Sequence, residues 1–135
     1  MRIIENRTGN SLTRPLRILS LLRGQWDGQR EPALQALADM GHEVIYVDQL
    51  LPLDGYQKLV QRIDFDVAVL WGNSLQNLLN SFDGNLFLDE ANIPYVTLWT
   101  DHPSKHLPLL ERVKTSNHKA MFIPDSQALA QFPNL

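Results

Sequence analysis

The sequence predicts an α/β fold, with about five parallel strands and helices on both faces. Three observations predict it. Short apolar runs of strand length recur along the chain. Segments with apolar residues at helical spacing separate them. Glycine, proline, asparagine and aspartate punctuate the joins. Strands that alternate with helices in this way form βαβ units and a parallel sheet.

The first strand is Leu16-Arg17-Ile18-Leu19-Ser20-Leu21-Leu22, nearly all apolar, as expected of a strand buried on both faces. A helix is predicted over residues 31–40, where Ala33, Leu34, Leu37, Ala38 and Met40 repeat near helical spacing. Pro32 suits its first turn and Gly41 its stop. The second strand, Glu43-Val44-Ile45-Tyr46-Val47, ends at Asp48. A short helix over 56–63 turns Leu59, Val60 and Ile63 inward. The third strand, Val67-Ala68-Val69-Leu70-Trp71, runs into Gly72-Asn73-Ser74. Helical segments at 75–81 and 85–91 flank Asp83-Gly84. The fourth strand, Tyr95-Val96-Thr97-Leu98-Trp99, ends in Thr100-Asp101-His102-Pro103. A helix over 107–114, a fifth strand over 120–123 and a helix from 126 complete the pattern.

Right-handed crossovers and short connections leave two strand orders. The expected one is Rossmann-like and doubly wound, 3-2-1-4-5. The alternative is the flavodoxin-like 2-1-3-4-5. Residues 1–14 lack periodicity and are expected to form a flexible arm, with a short extended piece at 2–4. Residues 15–135 then form a single domain.

Composition narrows the function classes. Hydrophobic residues make up 44% of the 135, enough for a packed core rather than a disordered chain. The net charge of −3 supplies no basic field for a phosphate backbone, so no nucleic-acid partner is expected. The chain has no cysteine, which excludes disulfides, thiolate metal sites and cysteine nucleophiles. No apolar run reaches the roughly 20 residues that span a bilayer. The polar N-terminus lacks the apolar core of a signal peptide, and a cytoplasmic location is expected.

Ligands of open parallel sheets bind beyond the carboxyl ends of the strands, at the switch in strand order. That rule alone selects Arg23, Gly24, Trp26 and Asp27 after the first strand. It also selects Asp48 after the second, Gly72, Asn73 and Ser74 after the third, Asp101 and His102 after the fourth, and Asp125 after the fifth. In order 3-2-1-4-5 the first of these groups lies beside Asp101 and His102. Backbone amides and Arg23 in the first loop suit an anion. Asp101 and His102 suit acid–base work or a hydroxylated ligand, and Pro103 restricts the backbone before it. Local hydrogen bonding by Asp101 is the plainer reading. Asn73 and Ser74 equally suit capping of the next helix. Trp71 and Trp99 suit either a pocket wall or core closure. His42 caps or faces water, and His118 stands alone.

Several chemistries are absent. There is no dinucleotide fingerprint, P-loop or serine-hydrolase elbow. A phospho-receiver needs an acid where Trp71 stands and a lysine where Pro124 stands. His102 and His106 are four apart, but Pro103 and Pro108 bracket them, so no metal site and no cofactor is expected.

Two stretches carry a resemblance. Leu37-Ala38-Asp39-Met40-Gly41-His42-Glu43-Val44 is similar to the opening strand–helix–strand of GT-B glycosyltransferases. Pro94-Tyr95-Val96-Thr97-Leu98-Trp99-Thr100-Asp101-His102-Pro103 resembles a segment of the CgeB-like (spore-maturation-protein-like) members, where Asp-Asp-Pro is the commoner ending. The resemblance covers residues 16–131. It implies the acceptor-binding N-terminal domain of a two-domain transferase, with a small-molecule or glycan acceptor held here. The nucleotide-sugar would be held by a C-terminal domain of about 150 further residues. The isolated chain would then be inactive, with Asp101 and His102 catalytic and the other strand-tip residues binding ligand. The rival expectation is a non-catalytic ligand-binding or protein-interaction module. Self-association is compatible with either.

Overall fold

The computed structural model describes residues 1–21, 27–82, 86–99, 107–112 and 117–122. It contains β1 (Arg2–Ile4), β2 (Arg17–Leu21), α1 (Asp27–Asp39), β3 (Glu43–Val47), α2 (Leu53–Arg62) and β4 (Val67–Trp71). After these come α3 (Gly72–Ser81), α4 (Phe87–Glu90), β5 (Tyr95–Trp99), α5 (Leu107–Arg112) and β6 (His118–Phe122). The α/β fold expected from the sequence is present.

The six strands form one sheet in the order β1-β3-β2-β4-β5-β6. β1 pairs antiparallel with β3, and every other pair is parallel. Counting the parallel strands alone, the order is 2-1-3-4-5. The expected order 3-2-1-4-5 is therefore corrected. Its physical obstacle is β1, which takes the outer edge of β3, the place the third parallel strand would need. β4 joins the free side of β2 instead, and α2 crosses over β2 to reach it.

Register divides the sheet into two faces. One row of paired positions runs Ile3, Ile45, Leu19, Ala68, Tyr95 and His118. Leu19, Ala68 and Tyr95 are fully buried and share a core with Leu70, Leu75, Leu78, Leu79, Phe87, Leu88 and Trp99. Each such side chain contributes about 1.5–3 kcal/mol on leaving water. Tyr56 of α2 stacks on Phe87 at 4.8 Å and meets Phe82 edge-on at 5.9 Å, tying α2 to α4. On the other face, Leu34 and Ala38 of α1 pack on Ile18, Val44 and Tyr46.

Helix boundaries depart from expectation where apolar spacing is silent. α1 begins at Asp27, and Pro32 lies inside it rather than in its first turn. The proline removes one intrahelical donor. α3 begins at Gly72, directly on the end of β4, with no side-chain cap from Trp71. The glycine stop is as expected: Gly41 adopts φ +111 and lets His42 N–H reach the Leu37 carbonyl at 3.3 Å. Asn92, at φ +55, does the same for α4.

The expected arm packs against the domain. Beyond β1, the Asn6 carboxamide oxygen accepts from Thr8 N–H at 2.9 Å and Gly9 N–H at 3.2 Å, closing a turn. Arg7 donates from its backbone and its guanidinium to the two carboxylate oxygens of Asp39, at 2.9 and 3.1 Å. Thr8 and Asn10 donate to the Asp39 carbonyl. The arm thereby satisfies the C-terminal end of α1. His42 accepts Leu16 N–H through Nδ1 at 3.0 Å, so it ties down the start of β2 rather than capping α1.

Candidate functional site

The observed strand order moves the switch point. It lies between β2 and β4, not between β2 and β5. The end of β2 therefore flanks the start of α3, and β4 separates it from β5. The expected adjacency of the loop after the first strand and the loop after the fourth is corrected accordingly: one strand stands between their bases. Arg23, Gly24, Trp26, Asp101, His102 and Asp125 lie outside the described residues. The backbone of Asp27 opens α1 and that of Asn73 lies in the first turn of α3, while their side chains lie outside the described residues.

Gly72 and Ser74 are placed. Both are buried. The Ser74 side chain is fully buried in the first turn of α3. A Cβ on Gly72 would fall inside the indole of Trp99, onto Cε3, Cζ3 and Cδ2. Here the missing side chain permits close packing. Trp99 is 3% exposed, so of its two readings the structure selects core closure. Trp71 is half-buried. Because Trp99 is the last residue of β5, its contact with Gly72 joins the tips of β4 and β5, one strand gap beyond the switch point.

The Trp99 indole is held from below. Its Nε1–H donates to Thr97 Oγ1 at 2.7 Å. Thr97 is itself fully buried. The same hydroxyl meets His118 Nε2 at 2.7 Å. Since indole only donates, Thr97 accepts from Trp99 and is free to donate to an unprotonated His118 Nε2. His118 stacks on Tyr95 at 5.0 Å, and the Tyr95 hydroxyl donates to Asp89 at 3.1 Å. This polar string backs the β5 tip. The sequence expectation left His118 alone and passed over Thr97. The available signal was Thr97 itself, a hydroxyl between Tyr95 and Trp99 on the buried face of an alternating strand, where it needs a partner.

Asp48 follows β3, one strand from the switch, and is half-buried. The Tyr56 hydroxyl donates to the Gln49 carbonyl at 3.0 Å and accepts from Leu51 N–H at 3.2 Å. Burial raises its pKa, and the Leu51 N–H opposes this more weakly. Among the described residues no group of three or more His, Asp or Glu side chains could hold a metal ion. No helix among them is long and apolar enough to cross a membrane. Comparisons with protein-family models, curated proteins and solved structures return no match to this chain.

Proposed function

We propose that this chain is the acceptor-binding domain of a glycosyltransferase and that its site is the crevice at the β2/β4 switch point. The reading rests on the two stretches similar to GT-B enzymes and on one structural observation. Trp99 packs on Gly72, so the end of β5 lies against the first turn of α3.

In this reading Arg23, Gly24, Trp26 and Asp27 bind the acceptor. Gly72, Asn73 and Ser74 are assigned to its binding as well, with Asp101 and His102 as the catalytic pair. Asp125 is assigned to ligand binding too. Asp101 or His102 orients the acceptor hydroxyl or takes its proton. The hydroxyl oxygen then bonds to the anomeric carbon of the sugar as the bond to the nucleoside diphosphate breaks. The donor is bound by a second domain, so this chain alone binds acceptor and turns nothing over.

The test is ligand-observed NMR with a panel of simple sugars, glycosides and hydroxylated small molecules, on wild type and on Asp101→Asn and His102→Ala. Binding by wild type that weakens about tenfold or more in either variant supports the reading. No binding across the panel, or binding unchanged in both variants, overturns it. Unchanged binding would favour a non-catalytic module.

A further inference from the structure

The far edge of the sheet carries a surface that the proposed crevice does not use. β1 has only three residues, with no proline and no bulge, and among the described residues no strand covers its outer edge. On its α2-facing side, Met1 is 70% exposed and Ile3 67%. Two adjoining clefts, of about 760 and 380 Å³, run beneath it. Ile3, Glu5, Ile45 and Ile63 line the first, and Met1, Val47 and Leu59 the second. Arg62, in the last turn of α2, lines both.

Arg17 pairs with Glu43 at 2.8 Å, and Lys58 with Asp54 at 3.9 Å. Neither Glu5 nor Arg62 has an ion-pair partner among the described residues, although both face the same cleft.

A second copy supplies what each lacks. An edge strand recruits another strand through its free backbone groups. Antiparallel pairing of two β1 strands about a two-fold axis through Ile3 sets Ile3 opposite its own copy. It sets Arg2 opposite Ile4, and Met1 opposite Glu5. Side chains directly opposite are about 5 Å apart. Glu5 of the second copy then arrives beside Met1, in the cleft that Arg62 lines. Symmetry makes this ion pair twice and covers Met1 and Ile3 on both chains.

We infer that the β1 edge, with Met1, Ile3, Glu5 and Arg62, is a self-complementary interface that joins two copies of this chain into one continuous sheet. The inference is independent of the proposed crevice, which is placed at the tips of β2 and β4, with β3 between them and the β1 edge.

Sedimentation velocity across a concentration series tests it. Wild type is expected to dimerise reversibly. Glu5→Arg and Arg62→Glu each weaken the dimer about tenfold, since each breaks two symmetry-related pairs. The double variant, with the charges exchanged, returns to near wild-type association. Ile3→Lys abolishes the dimer while its circular-dichroism melt stays that of the folded chain. A wild type that is monomeric throughout the series overturns the inference. So does a dimer indifferent to the charge reversals.

Discussion

The indole of Trp99 occupies the space that a side chain on Gly72 would need. The last residue of β5 is thereby locked onto the first residue of α3, across the boundary between two neighbouring strands. The arrangement demands a residue without Cβ at one position and a flat, buried ring at the other. It fixes the shape of the strand tips around which the proposed crevice is built.

Gly72→Ala forces the Trp99 ring to move. Overpacking of this kind costs about 1–3 kcal/mol. The expected outcome is a lower urea midpoint with an unchanged slope. Trp99→Leu is expected to be destabilising on its own, by about 3 kcal/mol from lost burial and cavity formation. In the double variant the cost of the alanine largely disappears. A double-mutant cycle measures this, and a coupling of about 1 kcal/mol or more is expected.

Thr97→Val keeps the shape of the side chain and removes its oxygen. The Trp99 Nε1–H and His118 Nε2 both lose their 2.7 Å partner. A loss of about 1–3 kcal/mol is expected, because the indole N–H is buried. The 15N chemical shift of the Trp99 indole reports the broken bond directly.

Tyr56 supplies a pH signature at the alkaline end. Burial raises its folded-state pKa above the ordinary 10.0. The folded state thus favours the neutral phenol. The stabilisation is complete below pH 10.0 and is lost as pH rises through the raised value. Absorbance titration of the phenolates should show a late component that Tyr56→Phe removes. The same variant should lose about 1 kcal/mol through the Gln49 and Leu51 hydrogen bonds.

Asp39 supplies the acid counterpart. The Arg7 backbone N–H, and then the Arg7 guanidinium, hold its carboxyl below the ordinary 3.8. Its stabilisation is present above that pH and is lost as pH falls through the depressed value. In Asp39→Asn the urea midpoint should fall less steeply below pH 3.8 than in wild type. Hydrogen exchange at the Arg7 amide should be faster at neutral pH.

The strands were legible in the sequence because buried parallel strands are written as short apolar runs. Four of the five parallel strands lie within a residue or so of their expected bounds, and Gly41 ends α1 as its position suggested. Strand order was not legible. Both orders satisfy the same crossover rule, and the choice turned on Arg2-Ile3-Ile4, a segment too short to show strand periodicity. The start of α1 was hidden because Asp27-Gly28-Gln29-Arg30 carries no apolar repeat. At the site, the strand-end rule selected Gly72 and Ser74. It did not reveal that Gly72 packs under Trp99, because such a contact joins positions far apart in sequence and exists only once β4 and β5 are neighbours.

The most direct test of the central claim is amide and indole chemical-shift mapping of the full chain, titrated with an acceptor found in the panel. The account predicts perturbations concentrated at residues 72–74, at the Trp99 indole and at Asp101 and His102. Perturbations confined to β1 and α2, or none at saturating acceptor, would contradict it.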